Sequence, residues 1–142
     1  MAGSKPRLDK RYFTVAEANA TLPLVRAIVR DIAQLATELR ARQERLAKDQ
    51  LLRGALTKVY QEELEAEFER DHRRLLECEQ ELKNLGIELK DYYTGLVDFP
   101  CRMKNREVYL CWRLGEPEVA HWHEVDAGFA GRQKLMAPVG KE

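Results

Sequence analysis

Apolar residues recur every three or four positions up to residue 86, and beyond it the spacing changes to an alternation of two. Val25, Ile28, Ile32, Leu35, Leu39 and Leu46 form one stripe, broken only by Arg42. That pattern predicts a heptad seam on a helix of roughly 25 residues, about 37 Å long at 1.5 Å per residue. A second stripe runs through Leu64, Phe68, Leu75, Cys78, Leu82 and Leu85, with Gln61 and Asp71 as its polar members. Two stripes separated by a short connection predict an antiparallel, coiled-coil-like hairpin.

Local signals mark the ends. Thr14 and Glu17 make a capping box, with Phe13 where a staple residue sits. A short helix is predicted from Val15 to Thr21, then a restart capped by Thr21 with Pro23 in its first turn, because proline lacks the N–H that a continuing helix needs. Gly86 suits a left-handed C-cap, with Ile87 folding back on Leu82. Gly54 is the expected turn between the helices.

After Gly86 the chain reads as strands. Gly95–Phe99 is a short strand ended by Pro100, and Met103–Arg106 is a polar turn. Glu107–Leu114 alternates strictly, with Val108, Leu110, Trp112 and Leu114 on one side and Tyr109, Cys111 and Arg113 on the other. Gly115–Pro117 turns the chain and Glu118–Glu124 returns. The fold class is α+β. A helical hairpin spans 12–86, a small antiparallel β unit over 87–135 lays one face on it, and 1–11 and 136–142 are tails.

Composition narrows the function. Lys plus Arg is 24 and Asp plus Glu is 24, so the net charge is zero, which argues against a general nucleic-acid binder. No apolar run approaches the roughly 18 residues of a membrane span. The first eleven residues have charges but no apolar core, unlike a signal peptide. Three cysteines without a Cys-x-x-Cys pair point away from a disulfide framework. The expectation is a cytoplasmic protein with reduced thiols. Cys78 sits on a seam and reads as a small buried apolar residue.

Much of the charge belongs to the hairpin. Arg40, Arg42, Arg45 and Lys48 stand near the end of the first helix and Glu62, Glu63, Glu65, Glu67 and Glu69 begin the second, each set complementing its own dipole. His72 reads as an exposed helix residue. The apolar tip (Leu51, Leu52, Leu56, Val59, Tyr60) packs back on the hairpin or meets a partner, a second copy of the chain among the options.

The chemistry gathers in 98–133. His121-Trp-His123 on a strand points both imidazoles to one face, about 6.5–7 Å apart. With Glu124 and Asp126 following, and Asp98 and Cys101 available from a neighbouring strand, this is a candidate site for a divalent metal ion, with His121, His123, Glu124 and Asp126 as ligands. The register is open. Pairing Leu110 with His121 puts the histidines on the Trp112 face, whereas pairing Cys111 with His121 brings Cys111, Tyr109 and His123 together. Gly128 and Gly131 permit a loop that either holds an anion on backbone N–H groups and Arg132 or caps the sheet with Phe129 docked in the core. Arg113, Arg132 and Asp98 are the candidate ligand-binding residues.

These motifs also carry a resemblance. Tyr12–Asn19 with Leu22-Pro23, Gly95–Pro100, Arg106–Glu118 and His121–Gln133 resemble an uncharacterised bacterial family known only as domain of unknown function 2203, over about residues 11 to 135. The stretch Cys101–Asn105 departs from its pattern. The resemblance implies a bacterial cytoplasmic protein and brings no activity with it. The residues themselves suggest a small-ligand or metal-binding protein, an enzyme among the options, with its polar site on the β unit. The alternative is an interaction module acting through the hairpin and its tip, and a homodimer with the hairpins in a four-helix bundle is compatible with either.

Overall fold

The computed structural model describes residues 10–53 and 58–135, with the side chains of 49–53 left aside. Thr14 Oγ1 accepts the Glu17 N–H and Glu17 Oε1 accepts the Thr14 N–H, both at 3.0 Å. The capping box thus opens α1, Val15–Arg53. The expected break at Pro23 does not occur, for the helix runs through it without interruption. An interior proline costs about 3 kcal/mol, but Ala18, Leu22, Val25 and Val29 on both sides of it are buried in the core. Nor does Thr21 begin a new helix: its hydroxyl donates to the Glu17 carbonyl at 2.8 Å, a bond one turn back within the same helix.

The second helix, α2, spans Lys58–Leu85. Gly86 follows at φ 87°, the Ile87 N–H reaches the Leu82 carbonyl at 3.1 Å, and the Gly86 N–H reaches that of Lys83 at 3.0 Å. This is the Schellman pair that the sequence announces. The polar interruptions of the two seams meet each other, Arg42 Nη1 lying 2.8 Å from Asp71 Oδ2. Arg74 and Asp31 make a longer cross-hairpin pair at 3.4 Å. His72 is exposed and stacks on Phe68, and Cys78 is buried. The expected turn at Gly54 lies outside the described residues, as do Leu56 and the side chains of Leu51 and Leu52.

Five antiparallel strands follow in chain order: β1 Glu88–Asp91, β2 Leu96–Met103, β3 Arg106–Arg113, β4 His121–Glu124 and β5 Gln133–Lys134. Pro100 does not end its strand. In a strand, one residue's N–H and C=O point to the same side; Pro100 turns that side toward β1, beyond the end of that strand at Glu88. Its carbonyl there accepts the Phe13 N–H at 2.7 Å. The ladder on the β3 side loses no bond to the missing N–H. Lys104 and Asn105, at φ 53° and 60°, form the two-residue turn between β2 and β3. Gly95 has no room for a side chain: a Cβ would lie 2.7 Å from Val29 and 2.8 Å from Leu114.

One face of the sheet packs on the helices. Val97, Phe99, Val108, Leu110 and Trp112 are fully buried there beside Phe13, Val25, Val29, Ile32 and Leu82. The connection from β3 to β4 is tied to α1 as well. The Asn19 side chain accepts the Val119 N–H at 2.8 Å and donates to the Val119 carbonyl at 3.3 Å. Val119 is therefore bonded to the helix rather than to β3, and β4 begins only at His121, later than the expected start at Glu118.

Candidate functional site

Strand register settles which side chains meet. Cys111 lies opposite His121 and Tyr109 opposite His123, the second of the two registers left open by the sequence. One row of residues crosses all five strands on the sheet face turned away from the helices: Glu88, Asp98, Cys111, His121 and Lys134. The next row holds Pro100, Tyr109 and His123. A strand face averted from the helices is expected to be wet, yet Asp98 is 3% exposed, Cys111 0% and His123 2%.

His123 sits between two acceptors. Its Nδ1 lies 2.8 Å from the Glu124 backbone carbonyl, which cannot donate, so Nδ1 carries a hydrogen. Its Nε2 lies 3.0 and 3.1 Å from the two carboxylate oxygens of Asp98. A single proton is shared across that contact. Burial pushes the Asp98 carboxyl above its usual range, opposed by the hydrogen bond and charge of His123 and by Lys90. Burial raises the Cys111 thiol to about 11, with the Asp98 charge adding to it and Arg132 opposing it. Oxygen of Asp98, sulfur of Cys111 and nitrogen of His123 all lie within 4.8 Å of one another.

This arrangement disfavours one chemistry and suits another. A nucleophilic cysteine needs an imidazole nitrogen free to take its proton and a depressed pKa. Here both nitrogens of His123 are engaged and the thiol is raised. A metal ligand needs the opposite: a histidine whose far nitrogen is fixed by a backbone carbonyl, leaving the near one aimed at other donors. His123 has that form.

Around the cluster stand charged neighbours. Arg132 Nη1 lies 3.7 Å from Cys111 Sγ, Nη2 donates to His121 Nδ1 at 2.6 Å, and the same nitrogen pairs with Glu116. Desolvation first and Arg132 second lower the pKa of His121. On the β1 side, Tyr109 donates to Glu88 at 2.9 Å, and Lys10 pairs with the buried Glu107.

The seven candidate residues divide accordingly. Asp98 and His123 belong to the cluster, and His121 and Arg132 border it. Glu124 falls on the other face by strand alternation and pairs with Arg106. Asp126 is exposed in the segment after β4. Arg113 is exposed, its guanidinium 5.1 Å from the centre of the Phe129 ring. Phe129 itself is 38% exposed rather than docked in the core, lying between Arg113 and Arg132 at the short 3₁₀ turn Phe129–Gly131. Cys101 pairs with Val108 and points into the hydrophobic core. Cys111 is the donor absent from the metal candidates. The signal for it was present in the alternation that set it beside Tyr109 and Arg113, opposite Trp112.

Comparison with curated proteins and with solved structures yields no match. The model of one family, described as an uncharacterized conserved protein, domain of unknown function 2203, matches residues 11–135. With most of its length covered, the chain belongs to that family.

Proposed function

We propose that this chain binds a divalent transition-metal ion of the zinc class on the far face of its sheet, through Asp98, Cys111 and His123. The observation that carries the reading is the convergence of one oxygen, one sulfur and one nitrogen donor within 4.8 Å, all deeply buried. A mixed set of thiolate, imidazole and carboxylate suits Zn²⁺, which takes them at about 2.0–2.3 Å. Drawing the three donors onto one ion requires an inward movement of the order of 1 Å. The His123 orientation supports the assignment, as does the origin of the ligands on three adjacent strands, which fixes their spacing. Metal uptake removes the thiol proton of Cys111 and the proton shared by His123 and Asp98.

The test is metal content by elemental analysis after equilibration with Zn²⁺ and desalting. About one equivalent is expected in the wild type, and Cys111→Ser and His123→Ala are expected to retain little. A wild type that retains no metal, or variants that retain as much as it does, would overturn the proposal.

A second reading is a protein-binding module. Val59 is 68% exposed and Tyr60 48% at the start of α2. Below them, Leu46, Leu64 and Phe68 line a groove between Arg42 and Glu69, walled by α1 and α2. A second copy of the hairpin would cover it in a four-helix arrangement. Sedimentation equilibrium tests this: a dimer weakened by Phe68→Glu supports it, and a monomer at all concentrations removes it.

A further inference from the structure

Arg132 occupies an unusual position for a surface arginine. Its guanidinium donates to three acceptor atoms of three different elements: Cys111 Sγ, His121 Nδ1 and Glu116 Oε2. A guanidinium only donates, so His121 Nδ1 is an acceptor and holds its lone pair toward the cation. His121 is thus a neutral imidazole aimed at a positive charge that also rests on the cluster's thiol. In the ladder it stands directly across from Cys111, which in turn stands directly across from Asp98. Such neighbours in a sheet have Cβ atoms about 4.5–5.5 Å apart. Asp98, Cys111 and His121 therefore occupy three consecutive positions of one row, and His123 reaches into it from the next.

We propose that Arg132 is the resident cation of this site, that a bound metal ion displaces it, and that His121 then turns from Arg132 to become the fourth ligand. The inference rests on the metal reading of Asp98, Cys111 and His123. The exchange balances in charge and atoms. A divalent ion enters and two protons leave to water, the thiol proton of Cys111 and the proton shared by His123 and Asp98. Cys111 then binds as thiolate, Asp98 as carboxylate and His123 as neutral imidazole, so two positive and two negative charges cancel. Arg132 keeps its carboxylate partner, Glu116, throughout and gives up only its contacts with Cys111 and His121. The displacement is short, because Glu116 holds the guanidinium at the rim while Phe129 supports its face, 4.7 Å from the ring centre. With one oxygen, one sulfur and two nitrogens the ion has the closed four-coordinate shell of a structural site.

Cobalt(II) titration of the full chain tests this, because Co²⁺ reports both thiolate ligation and coordination number. The wild type is expected to show a thiolate charge-transfer band in the near ultraviolet and strong four-coordinate ligand-field bands. His121→Ala should keep the thiolate band, lose ligand-field intensity and bind at least about tenfold more weakly. Arg132→Gln should bind more tightly than wild type, since no cation has to be displaced. Ring-proton NMR of the wild type with and without Zn²⁺ gives a readout that depends on no variant: His121 and His123 should both shift. If the thiolate band forms but His121→Ala is unchanged, or if only His123 shifts, the fourth-ligand assignment fails while the three-ligand reading stands. If the wild type shows no thiolate band with Co²⁺, both fail.

Discussion

The centres of the sheet's two faces are both buried, by different means. On the helix side, Val97, Phe99, Val108, Leu110 and Trp112 are all at 0% exposure, under apolar side chains of α1 and α2. On the far side, the face turned away from α1 and α2, Asp98, Glu107, Tyr109, Cys111 and His123 are between 0% and 8% exposed. There the cover is polar: Lys10 on Glu107, Arg132 at Cys111, and Tyr109 bonded to Glu88. An apolar face gains stability by leaving water, whereas a polar face loses its hydration and recovers it only through internal bonds. Among the described residues no buried side-chain nitrogen or oxygen lacks a partner, so the recovery is complete. The comparison places stability on one face and chemistry on the other.

The largest effect is expected on the helix side. Trp112 is fully buried, and its indole N–H donates to the Glu116 carbonyl at 2.9 Å. Trp112→Ala should cost about 3–5 kcal/mol, measured by urea denaturation. The far face should answer differently: Asp98→Ala, which leaves the buried Nε2 of His123 without its partner, should cost about 2–3 kcal/mol and abolish metal retention as well. If Asp98→Ala cost as much as Trp112→Ala and left metal retention intact, the division of labour between the faces would be wrong.

Protonation sharpens the same contrast. The folded-state pKa of Asp98 is raised from its ordinary 3.8, chiefly by burial. A raised carboxyl favours folding fully below pH 3.8, and its contribution falls as pH rises through the higher folded value. Asp98→Asn removes that dependence. In metal-free protein, the stability of Asp98→Asn relative to wild type should therefore improve from pH 4 to pH 7, as read by denaturation at both. A difference that stays flat would place Asp98 in a more solvated setting than its 3% exposure indicates.

What the sequence made legible follows the range of the interaction. The Thr14–Glu17 box and the Gly86 cap are bonds between residues a few positions apart, and their patterns are local. The polar breaks at Arg42 and Asp71 were visible as faults in two stripes, but their pairing is a contact between residues 29 apart in sequence. At Pro23 and Pro100 the local cost of proline points to a break that the fold does not make. Tertiary burial carried the helix through Pro23, and the end of β1 removed the cost at Pro100. β5 is two exposed polar residues and has no pattern to detect. The site depends on the β3–β4 register, and the connection between those strands is tied to α1 through Val119 and Asn19. Strand alternation alone could not supply that, so Cys111 was placed on the right face without being recognised as a donor.

The smallest effect offers the cleanest comparison, because the chain carries the same residue type on both faces of one sheet. Cys101 and Cys111 are 5% and 0% exposed, on adjacent strands. Around Cys101 the neighbours are mainly those of the hydrophobic core, with the Arg102 backbone carbonyl 3.7 Å from its sulfur. Around Cys111 they are Asp98, His123 and the Arg132 guanidinium. Replacing either sulfur by a hydroxyl changes volume little and polarity considerably. Cys101→Ser moves a more polar group into a largely apolar setting, with the Arg102 carbonyl beside it, and should cost about 1–2 kcal/mol. Cys111→Ser leaves the hydroxyl the Arg132 guanidinium as a donor, in a setting already polar, and should cost about 1 kcal/mol or less. Metal retention should run in the opposite order, intact in Cys101→Ser and nearly lost in Cys111→Ser, because a serine hydroxyl is a far poorer ligand for a zinc-class ion than a thiolate. Paired urea denaturation and elemental analysis of the two variants read both orders. Two faces that differ only in composition would give both variants the same metal content; a far face built as a site gives the crossed result.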